Sequence, residues 1–262
     1  MSEIALIEAF LKENADYVRD KYAVKSTITV ASKADANDLL TEVDLTIQKR
    51  FVDRIAHECP GDVIVGEEGE YTRFPENPDA RAWVIDPIDG TYNFMRGLFP
   101  IFGVSIAFSI GGAVLAGGVL FPATDRTFLA AYGAGSYCNG KRLHVSDVQQ
   151  VNEARIDVDF CGPVDRMTLM KTAPDLIAKV GMIRCHGSAV ASICEIASGD
   201  ADGYLHMTLN PWDYAASQII VEEAGGMASR LDGSPLELFD GRQGVIISNG
   251  AIHHEVLASL NP

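Results

Sequence analysis

Tryptophan is scarce in this 262-residue chain, which has only Trp83 and Trp212. That leaves little with which to line the aromatic cleft that a glycosidase builds around its paired acids. The five cysteines (Cys59, Cys138, Cys161, Cys185 and Cys194) include no CxxC pair. Their scatter argues against zinc and for reduced thiols in a cytoplasm. No dense run of Lys or Arg occurs, and the formal charge is −15. A surface this acidic repels a nucleic-acid backbone, so no nucleic-acid partner is expected. It also repels small anions unless cations reverse the local field, a need that favours bound metal ions over basic side chains.

Long apolar runs are nearly absent too. Glu3, Glu8 and Lys12 interrupt the N-terminal stretch, which a signal peptide would keep apolar. Ile101 to Leu120 carries no charge and is long enough to cross a bilayer. Pro100 and Pro122 bracket it, however, and Gly111-Gly112 divides it. A buried hairpin of Phe102–Ile110 and Ala113–Phe121 is therefore expected, with no membrane partner.

What is present is the pattern of a soluble α/β chain with a sizeable core. Ile4, Ile7, Leu11, Ala15 and Val18 predict a helix to about Tyr22, and Val43, Ile47, Phe51 and Ile55 predict a second, stopped by Pro60-Gly61. Lys33 to Asp38 reads as a loop. Strands are expected at Val63–Val65, at Trp83–Ile85, in the hairpin and at Phe128–Tyr132. The second half offers strands at Arg155–Phe160, Met182–Cys185 and Asp202–Met207. Its helices are expected at Met167–Val180, at Ala189–Ser198 before Gly199, and at Trp212–Ala224 before Gly225-Gly226. This mixture without repeats predicts a layered α/β sandwich in two subdomains, residues 1–145 and 146–262.

Three acidic motifs stand where such elements end. Gly66-Glu67-Glu68 follows a strand, Asp86-Pro-Ile-Asp89-Gly-Thr91 leaves another, and Asn210-Pro-Trp-Asp213 opens a helix with Asn210 as cap and Pro211 as first residue. Pro87 stiffens the segment between Asp86 and Asp89, and Gly90 permits a sharp turn, so the two carboxylates can converge. Each motif alone has a bland explanation: turn acids are commonly solvated, and acids in a first helical turn complement the dipole. Together they make a set of hard oxygen donors without His or Cys, which selects Mg²⁺ or Mn²⁺.

Gly66-Glu67-Glu68, Asp86-Pro-Ile-Asp-Gly-Thr-Tyr-Asn-Phe94 and Trp212-Asp213-Tyr-Ala-Ala216 resemble, in order, the three signatures of the inositol monophosphatase family. The resemblance implies the five-layered αβαβα sandwich shared with fructose-1,6-bisphosphatases, and Mg²⁺-dependent, lithium-sensitive hydrolysis of a small phosphorylated metabolite by a cytoplasmic homodimer. It implies Glu67, Asp86 and the Ile88 carbonyl as ligands of one Mg²⁺, and Asp86, Asp89 and Asp213 as ligands of a second. Asp44 matches an outer acid tied to a weaker third metal, while Lys33 and Glu68 support the site. Thr91 and Glu67 match the pair that orients and deprotonates the attacking water. Asp89, Gly90, Thr91 and Asp213 also face the substrate. Gly187-Ser188-Ala189 falls at the family's substrate segment, where Ser188 as helix cap would leave backbone amides free for phosphate oxygens.

One position departs from the family. His206 stands where animal members carry a glutamate that contacts inositol hydroxyls. A neutral imidazole offers one donor and one acceptor, and near an ordinary pKa of about 6.5 it could favour a second anionic group at mildly acid pH. Inositol 1-phosphate is the leading substrate expected. The enzymatic alternatives are a fructose-1,6-bisphosphatase type of sugar phosphatase and histidinol-phosphate phosphatase; the non-enzymatic one is a regulatory binding protein that retains the fold. His57, His144, His186, His253 and His254 are expected to be solvated or satisfied within the core.

Overall fold

A shared pair of helices between two sheets organises the chain. The computed structural model describes residues 2–32, 39–77, 79–97, 99–160 and 162–260. The chain begins with α1 (Glu3–Ala23), a small antiparallel pair β1 (Val30–Ser32) and β2 (Leu39–Thr41), and α2 (Glu42–Glu58). A seven-stranded sheet follows, in which neighbours in sequence are neighbours in space. Its strands are β3 (Val63–Gly66), β4 (Arg81–Asp89), β5 (Gly103–Ile110), β6 (Ala113–Phe121), β7 (Arg126–Ala131), β8 (Gly135–Cys138) and β9 (Lys141–Arg142), with α3 (Thr91–Arg96) between β4 and β5. Only β3 and β4 run parallel.

The second half supplies β10 (Arg155–Val158), α4 (Pro163–Thr172), α5 (Pro174–Lys179), β11 (Met182–Arg184), α6 (Ala189–Ala197), β12 (Gly203–Leu209), α7 (Pro211–Glu222), β13 (Met227–Ser229), β14 (Gln243–Ser248) and α8 (His253–Ala258). Its sheet has the order β11-β10-β12-β14-β13.

Three buried clusters glue five layers into the expected αβαβα sandwich. Phe10 of α1, Phe51 of α2 and Trp83 of β4 join on the outer face of the large sheet, with Phe10 and Phe51 edge to face at 5.0 Å. Val190 of α6 and Ile219 of α7 fill the middle, between Val119 of the large sheet and Ile247 of the small one. Leu169, Leu176 and Val256, from α4, α5 and α8, cover the outer face of the small sheet.

Two adjacent glycines of β6 face opposite ways. A Cβ on Gly117 would lie 2.6 Å from the Ala216 carbonyl of α7, and one on Gly118 would lie 2.5 Å from Ile7 Cγ2 of α1. The α7 helix therefore sits on the sheet at nearly backbone contact, while α1 meets it through the side chains of Ile7 and Leu11.

The charge-free stretch forms the β5–β6 hairpin, turning through Gly111 and Gly112 at φ 59° and 80°. No helix among the described residues is long and apolar enough to cross a membrane. The expected helix Met167–Val180 is two helices, because Pro174 has no N–H to continue the ladder and opens α5 instead. The strand at Trp83–Ile85 runs on through Pro87 to Asp89, with a register shift against β5 between Asp86 and Asp89. The loop expected at Lys33–Asp38 lies outside the described residues, as does Cys161.

Candidate active site

The register shift in β4 is what brings Asp86 and Asp89 to one end of the strand instead of to alternating faces. Both are buried, and the Ile88 amide donates to Asp86 Oδ1 at 3.0 Å. Glu67 follows β3, whose Gly66 is paired in parallel with Ile85, so its side chain reaches a hydrogen bond with Asp86. Asp213 enters from the middle layer in the first turn of α7, where its Oδ2 accepts the Asn210 amide at 2.8 Å and Pro211 is the first helical residue.

The three aspartates hold their protons tightly. Burial pushes Asp86 and Asp213 well above the usual carboxylate range, and the charge of Glu67 adds to both. Asp89 is pushed up to about 7 by burial, with the Ser188 hydrogen bond offsetting part of the rise. Three buried aspartates raised in part by the charge of Glu67, with hard oxygen atoms and the Ile88 carbonyl beside them, are a donor set that a divalent cation fits.

Asp44 lies farther back, at the start of α2, where it shares a reciprocal cap with Thr41: the Thr41 amide donates to Asp44 Oδ2 at 2.9 Å. Its Oδ1 is buried without a hydrogen-bond partner, and burial raises its pKa to about 7 with Glu67 and Glu68 as contributing charges. Glu68 is buried, and its backbone is gripped on both sides by Gln48: Nε2 donates to the Glu68 carbonyl at 2.6 Å and Oε1 accepts its amide at 3.0 Å. Nothing in the motif spacing pointed to Gln48, which belongs to α2. Lys33 lies outside the described residues.

Thr91 begins α3, with its hydroxyl donating to the Ile88 carbonyl at 2.9 Å. Gly90, at φ 81°, nests against Ser188: a Cβ there would lie 3.2 Å from Ser188 Cβ. Ser188 caps α6 as expected, its Oγ accepting the Ala191 amide at 3.4 Å. The expectation of free amides at this helix start needs correction at Ala189. Its N–H is given to Asp89 Oδ1 at 3.2 Å, and the Ser188 hydroxyl donates to Asp89 Oδ2. A buried carboxylate at the positive end of a helix takes the first available donors. Asn93 of α3 then ties the halves together, its amide donating to the carbonyls of Ile101 at 2.9 Å and His186 at 2.7 Å.

His206 is buried in β12 on the same face as Tyr204, away from Leu205 and Met207. Its Nδ1 accepts the Thr208 amide at 3.1 Å, which leaves the ring proton on Nε2. The acceptor that the sequence credited to His206 is therefore in use. Burial lowers its pKa, so the expectation of a charged ring at mildly acid pH is corrected as well.

Asp159, at the end of β10, was not among the expected site residues. The alternation of Asp157 and Asp159 with buried Ile156 and Val158 was the available signal. Its Oδ1 accepts the Gly187 amide at 2.8 Å and the Cys185 thiol at 3.1 Å. Nearby, ligand atoms of Asp157, His186 and Glu195 all lie within 4.8 Å of one another. That group is closed to a cation, because Arg155 Nη2 lies 3.1 Å from Asp157 Oδ2 and 2.5 Å from Glu195 Oε2. His253 is satisfied within the core, between the hydroxyls of Ser229 and Ser248.

A family model described as the inositol monophosphatase family matches residues 3–261. The chain belongs to the inositol monophosphatase family. A Thermotoga maritima protein named fructose-1,6-bisphosphatase/inositol-1-monophosphatase is 37% identical over 88% of this chain and 86% of its own length. Among solved structures, the Thermotoga maritima IMPase superposes with a TM-score of 0.85 at 32% identity, covering 99% of this chain and 96% of the other. An IMPase/NADP phosphatase complexed with Mg²⁺ and phosphate gives a TM-score of 0.85 at 25% identity, covering 98% and 94%. This inositol monophosphatase relative is accordingly a phosphoric monoester hydrolase, of a family that depends on divalent metal ions.

Proposed function

We propose that the chain hydrolyses small phosphate monoesters in a Mg²⁺-dependent reaction, with myo-inositol 1-phosphate as the leading substrate. The observation that carries this is the convergence of Glu67, Asp86, Asp89 and Asp213 in one mutual field. Glu67, Asp86 and the Ile88 carbonyl would hold one cation, Asp86, Asp89 and Asp213 would hold another, and Asp44 would serve a weaker third. Bound Mg²⁺ supplies charge neutralisation for the ester, acidification of water and stabilisation of the departing alkoxide. The Thr91 hydroxyl orients the attacking water and Glu67 accepts its proton. Gly90, Thr91 and the segment Gly187–Ala189 line the phosphate end, and His206 the alcohol end. Mn²⁺, with the same preference for oxygen ligands, is the substitute metal.

Phosphate release from a panel of monoesters, with Mg²⁺ and with EDTA, tests this. Release should require the metal, and Asp86→Asn should abolish most of it. Full activity in EDTA or in that variant would overturn the mechanism.

A bisphosphate substrate has one observation in its favour. Arg242 is exposed, and its charge reaches both His206 and Asp213, so a second phosphate could meet it. Fructose 1,6-bisphosphate therefore belongs in the panel.

We further propose a cytoplasmic homodimer. The free thiols of Cys59, Cys138, Cys185 and Cys194 suit a reducing compartment. Val164, Met167 and Met170 of α4 are 78%, 57% and 65% exposed, which leaves this helix an outward apolar side. A second copy would cover it.

A further inference from the structure

We infer that Asp159 determines specificity at the alcohol end of the site, its carboxylate accepting a hydrogen bond from a hydroxyl of the ester's alcohol half; this rests on the phosphatase reading above.

Asp159 is placed for that contact by strand register. β10 and β12 are parallel neighbours with Val158 opposite Leu205, so the residues that follow, Asp159 and His206, lie side by side. The charge of Asp159 is felt on one side at Asp89 and on the other at His206. It thus stands between the phosphate end and the alcohol end. The contacts run the same way: Gly187 donates to Asp159, and the next two residues, Ser188 and Ala189, donate to Asp89.

The two oxygens of Asp159 differ sharply. Oδ1 takes two donors, the Gly187 amide at 2.8 Å and the Cys185 thiol at 3.1 Å. That thiol stays a donor, because burial pushes it up to about 12. Oδ2 is buried and has no hydrogen-bond partner, although the residue as a whole is only 7% exposed. A buried carboxylate oxygen is costly to leave without a donor, and such groups are kept where a ligand or function uses them.

His206 cannot supply an acceptor through Nδ1, since the Thr208 amide occupies it. Asp159 supplies the acceptor from the neighbouring strand instead. Contacts to Asp159 Oδ2 suit an alcohol that carries hydroxyls of its own, as in a cyclitol or sugar phosphate. They suit an aromatic or plain alkyl ester poorly, because neither can donate to Oδ2.

The test compares kcat/KM, with Mg²⁺, for inositol 1-phosphate and for p-nitrophenyl phosphate. Asp159→Asn keeps the Oδ1 acceptor for Gly187 and removes the charge. The ratio of the two kcat/KM values should fall about ten- to a hundredfold in that variant, mostly through KM for the inositol ester. An unchanged ratio, or an equal loss on both esters, would mean that Asp159 only holds the Gly187 segment. A second measurement needs no variant. The unsubstituted protein should prefer inositol 1-phosphate to cyclohexyl phosphate by about tenfold or more, and equal use of the two overturns the inference. Failure to release phosphate from any ester, p-nitrophenyl phosphate included, would instead bring down the phosphatase reading and this inference with it.

Discussion

The Ser188 hydroxyl donates to the Asp89 carboxylate across 99 residues of sequence, joining a cap of α6 to the end of β4. Helix start and acidic strand end are therefore one local structure, built from opposite halves of the chain.

Ser188→Ala removes both the donor to Asp89 and the cap on Ala191. We expect a loss of about 1 kcal/mol in urea unfolding. Because Asp89 also loses its orientation, calorimetric titration should find Mg²⁺ affinity weakened about tenfold. Lost stability with unchanged affinity would show that the pair serves only the helix.

Without metal, stability should fall as pH rises through neutrality. Asp44 and Asp89 keep their protons to about 7, and Asp86 and Asp213 are likewise raised well above the usual carboxylate range. Each group binds a proton more tightly folded than unfolded, so its contribution is complete at low pH and is lost as pH passes the folded value. His253, lowered to about 4, and His206, also lowered, act in the opposite sense, favouring the fold as pH climbs to their unfolded value of about 6.5. The carboxyl effect should thus stand alone above about pH 6.5. Thermal unfolding in EDTA should show Tm dropping from there to about pH 8, and saturating Mg²⁺ should reverse the trend. A flat Tm in EDTA would contradict the raised carboxyls.

His206→Glu replaces the imidazole with a third carboxylate, beside Asp159 and Asp165. If it folds as the parent does by melting temperature, kcat/KM should shift toward inositol 1-phosphate over a simple sugar phosphate by about 1–3 kcal/mol. A parent already strongly selective for inositol, with the ratio unmoved in the variant, would place His206 away from the substrate.

Lithium should inhibit uncompetitively at millimolar concentration, as the family resemblance implies for an ion that occupies the second metal position after chemistry. Competitive inhibition against the ester would tell against that position.

Met167→Lys combined with Met170→Glu puts charges on the exposed face of α4. Sedimentation should then report a monomer where the parent sediments as a dimer. A monomeric parent would remove the homodimer proposal.

Local patterns reached far into this structure. The spacing from Val43 to Ile55 marked α2, and Gly111-Gly112 marked the turn of a hairpin that hydropathy alone could mistake for a membrane span. Motif order carried the family. What escaped depends on partners distant in sequence. Gln48 matters through Glu68, and Asp159 through Gly187, and neither belongs to a motif. The ordinary proline rule that breaks α4 from α5 at Pro174 was available in the sequence but outweighed by apolar spacing. At β4 the reverse happened: Pro87 signalled a turn, yet the ladder resumes at Asp89 after a shift.

The glycine pair in β6 has a consequence for the chemistry at a distance. Gly117 sets how low α7 rides on the large sheet, and α7 carries Asp213, while Asp86 and Asp89 belong to the sheet itself. The gap across which these acids face one another is thus a stacking thickness, fixed by the missing side chain at Gly117. A methyl group there would act as a shim: it would lift the helix, widen the gap and detune the grip on a small ion without replacing a single acid.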